Sequence, residues 1–178
     1  TLATRGLTRS TALTTDGRIN GAPAWSPDGR RIAWLRADGS SYPGIWIMNA
    51  DGSQRRRLVK NAFSTHSSGT SLSWSPDGRR LYYTRQGVVR GAATVNDIRA
   101  WDFPAGREIR ITRGLRARDP HPSPDGRTLA LVIAARGLTR LALLDLDGQL
   151  PAHAQSRLRP LGEFSADQIA EPRWSPDG

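Results

Sequence analysis

The strongest constraint on the fold of this chain is a pentapeptide, Trp-Ser-Pro-Asp-Gly, that the sequence repeats. It occurs three times, and a fourth copy has proline in place of tryptophan; the copies begin at Trp25, Trp74, Pro122 and Trp174. Successive serines of the four copies are 49, 48 and 52 residues apart. A nearly constant period with small insertions predicts a repeat architecture, in which each period is one supersecondary unit.

Each copy has the composition of a tight turn. In the first copy Pro27 presets φ for one central position, Asp28 tolerates the next, and Gly29 accepts the positive φ that follows. We therefore assign these residues a structural role and not a catalytic or metal-binding one. The predicted turn residues of three copies are Ser26, Pro27, Asp28, Gly29, Ser75, Pro76, Asp77, Gly78, Ser123, Pro124, Asp125 and Gly126.

Around each turn the residues favour strands, because aromatic and β-branched side chains are enriched there. The first unit predicts strands at 24–26, 31–35, 45–48 and 56–59. The same order recurs at 72–74, 81–84, 98–102 and 109–112, and again at 119–122, 129–133, 141–145 and 158–161. Four short antiparallel strands per period predict an all-β fold, the β-propeller, in which each unit is one blade.

The repeat resembles a known family. The pentapeptide at Trp25, the following Arg30-Arg31-Ile32 and the later Asn49-Ala50-Asp51-Gly52-Ser53 are similar to the WD40-like PD40 repeat. PD40 repeats build the TolB propeller and the amino-terminal propellers of prolyl-oligopeptidase-type peptidases. The resemblance implies a blade architecture over nearly the whole chain. It also implies a bacterial protein in a periplasmic or extracytoplasmic location, although no signal peptide is visible and a cytoplasmic location stays open.

The period divides the chain into about three blades. We expect the end of one blade at 1–21, blades at 22–70, 71–118 and 119–170, and the start of another at 171–178. Complete propellers have roughly four to eight blades, so we expect this chain to be part of a larger one, of about six to eight blades. An isolated arc would leave two blade faces open, and we expect it to self-associate.

The sequence lacks the residue patterns of an active site or a metal site. It has no cysteine, which excludes disulfides and thiolate ligands. It also lacks the Gly-x-Ser-x-Gly motif of serine hydrolases, and its three histidines, at 66, 121 and 153, have no metal-ligand spacing. We predict no catalytic residue, no cofactor and no metal for this segment.

The formal net charge of +10 comes from 26 basic against 16 acidic residues. Such an excess raises the question of nucleic-acid binding. We do not expect a nucleic-acid partner, because the sequence predicts neither a groove-reading helix nor basic residues interleaved with aromatic ones. The run at 55–57 lies on a predicted outermost strand, where charge protects an exposed sheet edge.

The connections of an up-and-down blade lie at two ends, and those at one end vary in length from unit to unit. Variable loops on a rigid scaffold are the usual place for binding residues. We expect a protein or peptide partner there, although ordinary solvated polarity explains each residue as well. The candidate contact residues are Asn20, Tyr42, His66, Arg90, Asn96, Asp97, Arg116, Arg118, Asp167 and Gln168.

Three functions remain open. The first is a non-catalytic interaction scaffold like the TolB propeller, and the second is the gating propeller of a serine peptidase whose catalytic domain lies outside this chain. The third is a ligand-sensing propeller of a membrane or regulatory protein. For the repeated tryptophans Trp25, Trp74 and Trp174 we expect packing between neighbouring blades, not ligand binding.

Overall fold

The structure is a computed structural model that describes residues 11–37, 39, 43–60, 62, 71–89, 93–146 and 157–178. The regular elements of these residues are twelve β-strands. The first sheet contains β1 (Ile19–Trp25), β2 (Arg31–Ala37), β3 (Gly44–Asn49) and β4 (Arg56–Val59). The second contains β5 (Leu72–Trp74), β6 (Arg80–Val89), β7 (Ala93–Asp102) and β8 (Arg107–Arg110). The third contains β9 (Ala117–Pro122), β10 (Thr128–Ala135), β11 (Leu138–Asp145) and β12 (Leu158–Ser165).

In every sheet the spatial order of the strands is their order along the chain, and all pairings are antiparallel. Each sheet is therefore an up-and-down blade. The predicted all-β fold, made of four-stranded antiparallel blades in an open arc, is confirmed.

The repeated turn has the same hydrogen bonds in all three sheets. In the first, the Ser26 hydroxyl donates to Asp28 Oδ1 at 2.6 Å and accepts from the Arg31 amide at 2.9 Å. Asp28 Oδ1 also accepts from the Arg30 amide at 3.1 Å, and Gly29 has a φ of +67°. The Ser26 hydroxyl above all, with the Arg30 amide, lowers the pKa of Asp28 below its ordinary value of 3.8.

The two larger hydrophobic cores lie between neighbouring sheets. The second strand of the middle sheet illustrates this, because Leu81 and Tyr83 pack toward the first sheet while Tyr82 packs toward the third. All three side chains are at most 1% exposed. A strand that is buried on both faces explains why the repeats show apolar runs instead of strict polar-apolar alternation.

Two of the repeated tryptophans join neighbouring units. Trp74 Nε1 donates to the Ala24 carbonyl at 3.1 Å, and its ring stacks on Phe103 with 5.1 Å between centroids. Trp174 Nε1 donates to the His121 carbonyl at 3.1 Å. Trp25 differs from the expectation, since it is 58% exposed. The described residues include no sheet ahead of β1 on which it could pack in the same way.

Two connections are shorter than the sequence predicts. The sequence predicts strands only at 81–84 and 98–102, yet β6 and β7 stay paired from Gln86 and Asn96 through Val89 and Ala93. The valines and threonine of this stretch favour strands, which extends the hairpin. Likewise β12 continues to Ser165, four residues beyond the strand predicted at 158–161.

Candidate functional site

The two ends of the blades differ in chemistry. The turn end holds the short turns between first and second strands and between third and fourth strands. The loop end holds the connections between second and third strands and those between sheets. At the loop end of the third sheet, the structure describes all four strands. There Ala117 pairs with Ile133, Ala135 with Leu138, and Thr139 with Ser165.

Two exposed arginines lie at this loop end, on the connection before β9 and on the turn after β10. Arg116 directly precedes β9, and its carbonyl accepts a hydrogen bond from the Ala134 amide at 3.1 Å. Arg136 and Gly137 form the two-residue turn between β10 and β11. Arg116 and Arg136 both have left-handed backbone, with φ values of +52° and +50°. Such conformations are uncommon for residues other than glycine, asparagine and aspartate.

A buried threonine holds the chain that follows β12 against the same turn. Thr139 is 3% exposed, and its hydroxyl donates to the Asp167 carbonyl at 2.6 Å and accepts from the Ile169 amide at 3.0 Å. Gln168 Nε2 donates to the Gly137 carbonyl at 3.5 Å. Beside these groups Leu138 is 37% exposed. We call the surface made of Arg116, Arg136, Leu138, Asp167 and Gln168 the loop-end patch.

The patch brings together three of the residues that the sequence predicts as contacts, namely Arg116, Asp167 and Gln168. Tyr42, His66 and Arg90 lie outside the described residues. Asn20 is half-buried and its Oδ1 accepts from Trp34 Nε1 at 2.8 Å, which fixes the indole of the first sheet. Asn96 is half-buried within β7, opposite Gln86.

Asp97 differs from the expectation of a loop contact, because it is a buried residue of β7 with 4% exposure. Its Oδ1 accepts from the Thr112 hydroxyl at 3.0 Å and from the Leu115 amide at 3.2 Å, and its Oδ2 accepts from the Gly114 amide at 2.9 Å. The carboxylate therefore fixes the connection from the second sheet to the third. It is used within the fold and is not presented to a partner.

Arg118 also differs from the expectation, because its side chain is 6% exposed. One guanidinium nitrogen lies 2.9 Å from Asp119 Oδ2, and the other donates to the Ile169 carbonyl at 2.7 Å. A buried guanidinium that is paired in this way is not available to a partner. Its role is to connect β9 with the chain that follows the third sheet.

The sequence alone did not indicate Arg136 and Leu138, although a usable signal was present. An Arg-Gly pair stands between two apolar runs, Leu129–Ile133 and Leu141–Leu144, and the glycine at its second position is typical of a two-residue hairpin turn. The signal is weak, because arginine is not a usual residue at the first position of that turn.

Other features of the structure are weaker candidates. A cavity of about 310 Å³ lies on the first sheet and is lined by Trp25, Trp34 and Met48 among others. Trp74, the counterpart of Trp25 in the second sheet, is buried against the first sheet, so we interpret the surface around Trp25 as a face on which another blade packs. In the part of the chain that the structure describes, no three metal-binding side chains come together. The same part contains no helix with the length and apolar content of a membrane span.

Residues 2–178 of the sequence match the family described as the TolB β-propeller domain, PD40. Among solved structures, a protein assigned as TolB from Agrobacterium tumefaciens is 21% identical with a TM-score of 0.62, over 93% of this chain and 69% of that one. Prolyl oligopeptidase B from Galerina marginata is 17% identical with a TM-score of 0.56, over 82% and 23%. The tricorn protease is 11% identical with a TM-score of 0.63, over 88% and 18%. No curated protein gives a significant match.

Proposed function

Because this chain belongs to the TolB β-propeller domain family, we propose that it acts as a non-catalytic protein-interaction propeller whose docking surface is the loop-end patch. The observation that carries the proposal is that charged and apolar side chains are exposed at this surface, while a buried threonine holds the neighbouring chain in place. Arg116, Arg136 and Leu138 are exposed or partly exposed, while Thr139 beneath them is buried and holds the adjacent segment.

This arrangement matches what protein interfaces require. Arginine is enriched among the residues that contribute most to interface affinity, and an apolar side chain beside it supplies desolvated contact area. Because hydrogen bonds hold its main chain in place, the backbone of the patch would lose little conformational entropy on binding. We further propose a periplasmic or other extracytoplasmic location, in keeping with the family, which fractionation of native cells would test.

Site-specific photo-crosslinking in native cells tests the docking surface. A benzophenone amino acid replaces Leu138 in the full-length protein, and a matched variant carries it at Arg127, an exposed residue at the turn end of the same sheet. We expect a discrete protein adduct from position 138 and none from position 127. Equal labelling at both positions, or none at 138, would contradict the proposal.

A second candidate is supported by the likeness to a prolyl oligopeptidase, in which this chain spans 23% of the length. The blades would then form the gating propeller of a serine peptidase. A fluorophosphonate probe that reacts with activated serines distinguishes the two functions when it is applied to the full-length protein. Labelling outside residues 1–178 would support the gate, and no labelling would favour the interaction propeller.

A further inference from the structure

We propose that the segment bound by the loop-end patch is an acidic peptide that carries an apolar side chain. The inference rests on the proposed function and names the chemistry of its partner. Three features of the patch support it, namely its local charge, the backbone conformation of its arginines and the position of its exposed leucine.

The local charge distinguishes this surface from the turn end. Exposed arginines occur at the turn end too, at positions 30, 79 and 127, but each directly follows a turn whose aspartate lies two residues earlier. The carboxylate of that aspartate accepts a hydrogen bond from the arginine amide at 3.0 to 3.1 Å in each turn. The charges there alternate in sign over a short distance, so the field of each arginine is offset locally.

The patch lacks this alternation. Arg116 and Arg136 have no acidic residue within two positions in the sequence. The acidic residue of the patch is Asp167, whose Oδ2 accepts from the Ser165 hydroxyl at 3.1 Å. Asp119, the nearest carboxylate along the chain from Arg116, is fully buried and pairs with Arg118. The surface therefore presents two guanidinium groups against one carboxylate, and it is complementary to a negatively charged partner.

The backbone conformation supports a binding role for these two arginines. Both occupy left-handed regions in which glycine or asparagine would be favoured. Unfavourable conformations of this kind concentrate at functional sites, where the surrounding structure holds them in place. Here the Ala134 amide fixes the Arg116 carbonyl, and the β10–β11 pairing fixes the turn that holds Arg136.

The third feature makes a peptide a better fit than a lipid or a nucleic acid. Leu138 directly follows the turn that holds Arg136, so an apolar group lies beside the charged ones. Guanidinium groups bind carboxylates with two parallel hydrogen bonds, and a leucine surface accepts an aliphatic or aromatic side chain. A short acidic segment with an apolar residue satisfies both.

Fluorescence anisotropy tests the inference with a defined probe. The probe is the fluorescein-labelled hexapeptide Asp-Glu-Leu-Asp-Glu-Leu, and its matched control is Asn-Gln-Leu-Asn-Gln-Leu. The test variant of the full-length protein combines Arg116→Gly with Arg136→Gly, both compatible with positive φ, so that folding is retained. The control variant combines Arg79→Gln with Arg127→Gln and removes the same charge from the turn end.

We expect the test variant to raise the dissociation constant of the acidic peptide by about tenfold or more and the control variant to change it by less than about twofold. The neutral peptide should bind the wild type at least about tenfold more weakly than the acidic one. Thermal denaturation of both variants confirms that they are folded.

Three results would overturn the inference. One is equal weakening in both variants, which would indicate a response to net charge alone. Another is no binding of the acidic peptide to the wild type. The last is patch-dependent binding of phosphatidylglycerol vesicles or single-stranded DNA without binding of the peptide. If the crosslink at position 138 forms while the peptide fails to bind, the proposed function stands and the acidic partner is excluded.

Discussion

Asp119 and its neighbour Arg118 form an ion pair that is removed from solvent, with 2.9 Å between Asp119 Oδ2 and the guanidinium. The same carboxylate accepts from the Ser71 hydroxyl at 3.4 Å and from the Glu171 amide at 3.3 Å. The Asp119 amide donates to the Thr84 hydroxyl at 3.1 Å. One residue thus connects the second sheet, the third sheet and the chain that follows it.

Asp119→Asn should destabilise the fold by about 3 kcal/mol, because it leaves the buried guanidinium of Arg118 without its counter-charge. Urea denaturation of wild type and variant measures the difference. Asp167→Asn, at an exposed carboxylate, is the control and should change the free energy of unfolding by less than about 0.5 kcal/mol. If the two substitutions changed the free energy of unfolding by similar amounts, the buried ion pair would contribute no more to stability than the exposed carboxylate.

Asp97→Ala should loosen the connection between the second and third sheets and cost about 2 to 4 kcal/mol, since three donors lose their acceptor. Amide hydrogen exchange gives a local readout, because the Gly114 and Leu115 amides donate to this carboxylate. Both should exchange faster in the variant, while the Gly29 amide of the first turn should not change. Unaltered protection at Gly114 would disprove the capping role.

Arg136→Asn should stabilise the fold by about 1 kcal/mol, because asparagine tolerates the left-handed backbone and Asn-Gly is a favoured two-residue hairpin turn. The same change should weaken binding at the loop-end patch, so stability and binding should move in opposite directions. Thermal denaturation and peptide anisotropy measure the two effects. At Arg127, where φ is not positive, the same substitution should produce no gain in stability.

The hydrogen bond between His121 and the fourth copy of the pentapeptide should make the stability of that junction depend on pH. Its Nδ1 accepts from the Trp174 amide at 3.3 Å, which requires the neutral ring, and burial, with a smaller contribution from Arg173, lowers the pKa of His121 below its ordinary value of 6.5. The folded state then binds fewer protons than the unfolded state, so stability is complete above pH 6.5 and falls as the pH drops toward the folded-state pKa.

Tryptophan fluorescence, followed between pH 7.5 and 4.5 in wild type and variant, measures this change, because Trp174 is one of the six tryptophans that contribute to the signal. We expect His121→Gln to remove the part of the pH dependence that lies below about pH 6.5. A titration curve that is the same in wild type and variant would assign the effect to other groups.

The fold could be predicted from the sequence because one pentapeptide carries the period, the turn and the strand boundaries together. The candidate site could be predicted only in part. Asp97 and Arg118 have the polarity of loop contacts, but their burial depends on Thr112, Asp119 and Ile169, which approach through tertiary packing. Arg136 was missed for the opposite reason, since the structure places an arginine where turn chemistry favours asparagine or glycine.

Pro122 occupies the position at which the other repeats have a tryptophan. Because of this difference, one repeat cannot replace another without changing the contact between neighbouring sheets. The junction of the first two sheets uses the Trp74 indole, stacked on Phe103 under the Arg31 guanidinium. At the next junction a Ser73 hydroxyl donates to the Pro120 carbonyl at 2.5 Å, and no indole is available from position 122. A chimera in which one repeat replaced another would keep the backbone spacing of the sheets. It would lose the side-chain contacts that hold neighbouring sheets together.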